Sequence, residues 1–277
     1  MATTSIQAPN LFNVNGLVAV ITGGGSGIGL MMARALALNG AHKIYIIGRR
    51  KDVLEKASQS VSTNNIFPIV GDVTSKEALA SVVTTIQSEV GYINLLIANS
   101  GMLGPQSAMP QAEIKSVADF QKAFGETPFE EHLDTFKLNT TAVWYTIIAF
   151  LGLLDEGNKK GNVEQKSQCW VRSAAIYNMA TRPLKINFIT SAAGHIDSLS
   201  TFLDLLADSS QVFPSDLAAP IIGNGIFPRD KIPLERVGTE EDMAGAILFL
   251  TSKAGAYCTG NVLLLDGGRL SMLPATY

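Results

Sequence analysis

The chain contains few cysteines, few histidines and no excess of positive charge. Its 277 residues include 2 cysteines and 3 histidines, and the formal net charge is −3 at pH 7. Cys169 and Cys258 lie far apart and form no C-x-x-C pair, which excludes a disulfide framework and predicts a reduced, cytoplasmic setting. The scattered histidines lack metal-ligand spacing, so we expect no metal site. Because no basic stripe is present, neither a nucleic acid nor an anionic membrane is expected as a partner.

The sequence also lacks a membrane-spanning run and a signal peptide. The apolar stretch over residues 142–154 is too short and runs into Asp155 and Glu156, and no basic start followed by an apolar run stands at the N-terminus. Apolar residues make up 47% of the chain and charged residues 16%, which suits a well-buried core. No repeat or linker divides the sequence, so we predict a single domain over residues 1–277.

Apolar strands and amphipathic helices alternate along the chain. This alternation predicts an α/β fold with a parallel sheet covered on both faces. After the first strand and helix, the predicted strands are residues 43–47, 66–70, 93–97, 169–172, 184–190 and 261–265. The later predicted helices are residues 51–60, 75–90, 114–124, 129–154 and 239–252.

A glycine-rich turn separates the first strand from the first long helix. An apolar run from Leu17 ends at Thr22, G-G-G-S-G-I-G follows, and residues 30–38 continue as a helix. Glycines let the backbone approach a ligand, and the free N–H groups of the helix start face an anion, normally a pyrophosphate. A plain strand-to-helix loop is the alternative. The residues expected to bind the pyrophosphate are Gly23, Ser26, Gly27, Ile28 and Gly29.

Polar residues that follow the next strands indicate which cofactor binds. The adenine ribose lies at the end of the second strand, where an acidic residue would bind the 2′-OH of NAD. Arg49 and Arg50 stand there instead, and guanidinium groups suit the 2′-phosphate of NADP. We therefore expect NADP(H) rather than NAD(H), the alternative being a solvated arginine pair.

Two more residues are candidates for cofactor binding. Asp72 follows the third strand and could accept from the adenine amino group or cap the helix that begins near Ser75. Asn99 follows the fourth strand, where the cofactor cleft should open, with a turn asparagine beside Gly101 as the alternative.

Four motifs together resemble the short-chain dehydrogenase/reductase (SDR) family in its single-domain form. They are T-G-x-x-x-G-x-G at 22–29, a variant of N-N-A-G at 98–101, K-L-N-T at 137–140 and L-D-G-G at 265–268. The resemblance implies a Rossmann-like, doubly wound parallel sheet of about seven strands. It also implies carbonyl reduction or alcohol oxidation of a small molecule with a nicotinamide cofactor, a homo-oligomer, and a catalytic role for Asn139.

The family's Tyr-x-x-x-Lys pair is absent from the sequence. In the family, the Lys and the cofactor's positive ring lower the pKa of the phenol, so that the Tyr exchanges protons near neutral pH beside a Ser. Tyr277 is the last residue, and no other tyrosine is followed by Lys at this spacing. The residues four past these tyrosines are Arg49, Leu96, Ala149, Thr181 and Asn261.

Two serines compete for the family's catalytic serine position. Ser173 follows the predicted fifth strand, whereas Ser191 follows residues 184–190, which also resemble the family's sixth strand. We prefer the sixth-strand interpretation, which leaves only residues 174–183 to cross between two parallel strands, near the lower limit for such a connection. Any perturbation of the sheet is therefore expected between residues 168 and 213.

The sequence leaves two functions open. One is an NADP(H)-dependent carbonyl reductase with a substitute proton donor, for which Tyr177 is the nearest candidate. The other is a nucleotide-binding protein without this catalysis, either a pseudoenzyme or the product of a damaged reading frame. The intact glycine turn allows cofactor binding in both cases, whereas the absent Tyr/Lys pair argues against proton transfer.

Overall fold

The central sheet of the protein is parallel and doubly wound. The computed structural model describes residues 6–105, 114–171, 185–190, 213–215, 218, 222, 224–259 and 262–272. Within these residues, seven parallel strands form one sheet in the order β3-β2-β1-β4-β5-β6-β7, which confirms the predicted Rossmann-like α/β fold. The strands are β1 (Val18–Thr22), β2 (Lys43–Gly48), β3 (Ile66–Val70), β4 (Leu95–Ala98), β5 (Gln168–Val171), β6 (Lys185–Thr190) and β7 (Val262–Leu264).

Helices cover both faces of this sheet. On one face α2 (Gly27–Leu38) packs against α8 (Glu240–Thr251), and on the other α4 (Lys76–Glu89) packs against α7 (Val143–Lys160). A π-helical segment, Lys137–Ala142, joins α6 to α7. The α-helices among the described residues are α1 (Ala8–Leu11), α2 (Gly27–Leu38), α3 (Lys51–Ser58), α4 (Lys76–Glu89), α5 (Val117–Phe124), α6 (Phe129–Phe136), α7 (Val143–Lys160) and α8 (Glu240–Thr251).

Each face of the sheet has its own hydrophobic core. Successive side chains of a strand point to opposite faces, so that Ala19 and Ile21 of β1 pack with α2 and α8. Val18 and Val20 pack with α4 and α7. All five residues of β1 are buried, which explains why its sequence is an unbroken apolar run rather than an alternating one.

The interpretation of residues 184–190 as the sixth strand is confirmed. Cys169 of β5 pairs with Ile186 of β6, and Ile189 of β6 pairs with Leu263 of β7. The sheet is therefore continuous from β5 through β6 to β7. Residues 172–184 and 191–212 lie outside the described residues, and the predictions for Ser173 and Ser191 fall there.

The helix predicted over residues 129–154 is longer and less uniform than expected. It comprises α6, the π-helical segment and α7, and it ends at Gly161, a left-handed residue with a φ of 61°. Among the described residues, this segment alone is long and apolar enough to cross a membrane by length and composition. Its buried side chains, which include Phe150 and Leu154, pack against the sheet, as the core helix of an α/β protein does.

Candidate cofactor site

The strand order places a crevice at the carboxyl end of β1. The chain winds from β1 towards β3 on one side and from β4 towards β7 on the other, so that the order reverses between β1 and β4. In open parallel sheets, ligands bind outside the carboxyl ends of the strands at such a reversal. The glycine-rich turn of residues 23–26 lies at this point, between β1 and α2.

Glycines at this turn are required by its backbone and by its packing. Gly23 and Gly27 have φ values of 64° and 52°, in the left-handed region that favours glycine. A Cβ on Gly29 would meet the carbonyl oxygen of Gly23 and lie 2.6 Å from Nδ2 of Asn99. The first turn of α2 therefore rests directly on the glycine turn, and its N–H groups, which have no partner within the helix, lie at the crevice.

Ser26 and Ile28, which were also expected to bind the pyrophosphate, differ in the groups that they offer to a ligand. Ser26 is the N-cap of α2 and makes no capping hydrogen bond with its side chain. Ile28 is buried in the core between α2 and the sheet, so only its backbone can face a ligand.

Thr22 and Asn99 join the ends of β1 and β4, and we call this pair the clasp. The Thr22 hydroxyl accepts from the backbone N–H groups of Asn99 and Ser100, at 3.0 and 3.1 Å. In return, Nδ2 of Asn99 donates to the carbonyl oxygens of Thr22 and Gly23, at 3.0 and 3.1 Å. Both amide hydrogens of Asn99 are thus used to hold the glycine turn, as in the turn interpretation of this residue.

Charged residues follow the carboxyl ends of β2 and β3. Arg49 and Arg50 directly follow β2, and both are exposed. Asp72 follows β3, and its carboxylate accepts from the N–H and the hydroxyl of Thr74, each at 2.8 Å. The backbone bond from Thr74 holds the pKa of Asp72 below its usual value, and its hydroxyl, Arg49 and Lys137 lower it further. Asp72 is therefore an ionised loop residue beside two cations.

The suggestion that Asp72 caps the following helix is wrong. Ser75 is the N-cap of α4, and its hydroxyl accepts from the N–H of Ala78 at 3.1 Å. Asp72 instead closes a turn onto its own loop through Thr74.

Asn139 lies in the π-helical segment and holds the loop after β4. Its Oδ1 accepts from the N–H of Met102 at 3.0 Å, and its Nδ2 donates to the Met102 carbonyl oxygen at 2.9 Å. π-helical turns within helices frequently lie at functional sites. The structure thus connects Asn139 to the same edge of the sheet as the glycine turn, whereas Ser173, Ser191 and Tyr177 lie outside the described residues.

Sequence reasoning did not select Ser215, which lies against the glycine turn. A Cβ on Gly27 would come within 2.8 Å of Cβ of Ser215. The two residues are far apart in sequence, so neither periodicity nor local spacing reveals the contact. The sequence V-F-P-S-D at residues 212–216 resembles the segment that follows the sixth strand in the short-chain dehydrogenase/reductase family, and this resemblance is the one local signal at Ser215.

Comparison with known proteins identifies the family. A family model described as short chain dehydrogenase matches residues 17–164, and one described as enoyl-(acyl carrier protein) reductase matches residues 227–269. The chain belongs to the short-chain dehydrogenase/reductase family of oxidoreductases. The fungal short-chain dehydrogenase/reductase PhomF of Diaporthe leptostromiformis is 40% identical to this SDR, over 99% of this chain and 98% of its own.

Solved structures of other proteins share the fold. The Pseudomonas aeruginosa RhlG/NADP active-site complex has a TM-score of 0.63 and 22% identity, covering 95% of this chain and 99% of its own. A 3-ketoacyl-(acyl-carrier-protein) reductase from Brucella melitensis complexed with NADH has a TM-score of 0.67 and 20% identity, covering 93% and 100%. The first of these is a complex with NADP and the second a complex with NADH.

If the clasp holds the two strand ends together, the nearly isosteric change Thr22→Val should lower the stability of the protein strongly. Thr22→Val leaves two N–H groups at this edge without an acceptor and should lower the free energy of unfolding by about 2–4 kcal/mol. Asn99→Ala removes two donors and should lower it by about 2–3 kcal/mol. The free energy of unfolding is measured from the midpoint and slope of the urea unfolding curve.

The matched control is Thr84→Val on α4. The Thr84 hydroxyl is exposed and donates to the Ala80 carbonyl oxygen at 2.9 Å, so its loss should change stability by less than about 0.5 kcal/mol. If Thr22→Val were no more destabilising than Thr84→Val, the clasp would not hold the strand ends together.

Proposed function

We propose that this SDR is an NADP(H)-dependent oxidoreductase that acts on the carbonyl/alcohol pair of a small molecule. The observation that carries the proposal is the glycine turn, held by the clasp at the reversal of strand order, with two arginines at the end of the adjacent strand. Membership of the SDR family supports a nicotinamide dinucleotide as cofactor. The preference for NADP(H) rests on Arg49 and Arg50.

The residues present fit a dinucleotide. Left-handed φ values at Gly23 and Gly27 shape the turn, and the absence of a side chain at Gly29 lets the start of α2 pack on the Gly23 carbonyl oxygen and the Asn99 amide. The N–H of Gly23 itself donates to the Ile47 carbonyl oxygen at 2.8 Å. A pyrophosphate at a helix N-terminus is stabilised by the free N–H groups there and by the helix dipole. The N–H groups of residues 24–29 would therefore hold the pyrophosphate.

The adenosine end of the crevice favours a 2′-phosphate. Residues 49 and 50 follow β2, and no carboxylate stands there to bind a ribose 2′-OH. The charge of Asp72, which follows the next strand, is opposed by Arg49 and Lys137. A phosphate at this position would meet a net positive environment and could accept charge-assisted hydrogen bonds from guanidinium groups.

Proton transfer requires a group other than the usual tyrosine. When bound, the nicotinamide supplies or accepts the hydride, while Asn139 fixes the loop after β4 through Met102. Tyr45 is unsuited to proton exchange near neutral pH, because burial and its hydrogen bond to Glu89 raise its pKa. Tyr177 stays the proposed donor by its place in the sequence.

The test is binding followed by turnover. The purified chain is titrated with NADPH by fluorescence, and oxidation of NADPH is then followed by absorbance with a panel of ketones and aldehydes. We expect saturable binding and carbonyl-dependent oxidation. Tight binding without turnover across the panel would instead favour the nucleotide-binding protein without catalysis, and no binding would contradict both functions.

The arginine pair makes a prediction about cofactor choice. Arg49→Gln and Arg50→Gln should each raise the Kd for NADPH by about 10- to 100-fold, because each removes a charge-assisted hydrogen bond to the 2′-phosphate. The Kd for NADH should not change. Lys51→Gln is the matched control, because Lys51 is exposed and pairs with Glu55 at 3.6 Å. A wild-type Kd lower for NADH than for NADPH would contradict the preference.

We further propose that the protein is a homo-oligomer joined through one face of the helix Phe129–Lys160. Large apolar side chains are exposed along this face, namely Phe129, Leu133, Phe136, Trp144 and Ile148. Its first turn is acidic and its last turn contains Lys159 and Lys160. A twofold axis that pairs two copies antiparallel therefore brings unlike charges together and buries the apolar face.

A charge placed on this face should dissociate the oligomer. Ile148→Glu buries an unpaired carboxylate in the contact, so we expect a lower mass by light scattering after gel filtration. Leu38→Glu is the control, because Leu38 is equally large and exposed but lies on α2, on the opposite side of the sheet. A monomeric wild-type protein would overturn the proposal, as would an unchanged mass for Ile148→Glu.

A further inference from the structure

We propose that Arg236 is a positioning residue that holds the segment Phe213–Ser215, here called the cover segment, against the glycine turn. By doing so it sets the affinity of the protein for the pyrophosphate of its cofactor. The inference rests on the proposed function, because it concerns the same crevice. Three successive contacts carry it.

The first contact joins the cover segment to the start of α2. Cβ of Ser215 lies 2.8 Å from the position of a Cβ on Gly27, and the Pro214 carbonyl oxygen lies 3.9 Å from it. The N–H of Ala218 donates to the hydroxyl and the carbonyl oxygen of Ser215, at 3.1 and 3.0 Å. Ser215 is thus held in a turn beside the N–H groups that would bind the pyrophosphate.

The second contact joins the cover segment to the chain just before α8. Phe213 is buried within the core that α2 and α8 share. Its ring occupies the space that a side chain at Gly238 would need, with Cδ1 only 2.8 Å from the position of a Cβ there. The position of residue 238 therefore determines where the Phe213 ring, and Ser215 two residues later, can lie.

The third contact fixes Gly238 itself. Nη2 of Arg236 donates to Oδ1 of Asp242 at 3.0 Å, and Nη1 donates both to Oδ2 of Asp242 and to the Val237 carbonyl oxygen. Asp242 also accepts from the N–H of Thr239 at 2.8 Å, within the capping box that starts α8. Residues 236–239 are thereby tied to the first turn of a packed helix.

The geometry of this ion pair requires arginine. Only a guanidinium donates from two nitrogens to one carboxylate and to a neighbouring carbonyl oxygen in one plane. The same carboxylate serves the capping box, so that the loop and the helix start share one anchor. The pair therefore restrains the backbone on either side of Gly238.

A pair of ligands tests this role. NADPH contains the pyrophosphate, whereas 2′-AMP contains only the adenosine end, which the proposed function places at Arg49 and Arg50 after β2. Arg236→Gln should raise the Kd for NADPH about fivefold and leave the Kd for 2′-AMP unchanged. A fivefold change corresponds to the loss of one partly exposed ion pair. Gly238→Ala, which displaces the Phe213 ring, should raise the Kd for NADPH about tenfold or more.

The matched control is Glu240→Gln. Glu240 pairs with Arg34 of α2 at 3.0 Å, so this variant removes an ion pair from the same helix start without touching residues 236–239. Amide hydrogen exchange without ligand gives a second readout: Arg236→Gln should speed exchange in peptides that contain residues 213–215, and Glu240→Gln should not. If Gly238→Ala does not fold, Arg236→Gln and its control still decide the matter.

The outcomes separate this inference from the proposed function. If the wild type binds NADPH but Arg236→Gln and Glu240→Gln have the same Kd and the same exchange, the positioning role is wrong and the function stands. Parallel loss of NADPH and 2′-AMP affinity would also overturn it, because that pattern indicates general damage. A wild type that does not bind NADPH would overturn both.

Discussion

The structure depends on the hydrogen bonds that fasten the end of β1 to the end of β4. In a parallel sheet whose strand order reverses, the two strands at the reversal diverge into opposite halves of the fold, and their carboxyl ends form the crevice. The Thr22 hydroxyl and the Asn99 amide connect these ends with four hydrogen bonds. The shape of the glycine turn, and hence the direction of its N–H groups, follows from this connection.

Binding and proton transfer are carried by different parts of the chain. The glycine turn, the clasp and the arginines all lie within the first hundred residues, and each is intact in sequence and in geometry. The Asn139 side chain holds the loop after β4 through two hydrogen bonds with Met102. The Tyr-x-x-x-Lys pair that the family uses is absent from the sequence. Cofactor binding therefore does not by itself imply hydride transfer.

Local sequence patterns were sufficient to predict the strands of the sheet. An unbroken apolar run such as β1 is buried on both faces. The run at residues 184–190 could be placed between β5 and β7 because it resembles the sixth strand of the family. The glycine turn could also be predicted from the sequence, because positive φ values at positions 23 and 27 and close backbone packing at position 29 favour glycine there. In each case the constraint acts within a few residues.

Contacts between distant residues were not predictable. The π-helical segment interrupts a stretch whose periodicity indicates a plain helix, and its Asn139 bonds a residue far earlier in the chain. The nearness of Ser215 to Gly27 depends on the packing of Phe213 on Gly238. Asp72 was suggested as a helix cap because it stands near the helix start, but Ser75 is closer to the first turn and takes that role.

Amide hydrogen exchange of the wild-type protein with and without saturating NADPH tests most directly whether the clasped glycine turn is the pyrophosphate site. Peptides that contain residues 23–29 should exchange more slowly in the presence of NADPH, because the N–H groups of residues 24–29 would donate to the phosphates. Peptides from the far edge of the sheet at β7 should exchange at the same rate in both samples. Saturable NADPH binding with unchanged exchange at residues 23–29 would show that the cofactor lies elsewhere.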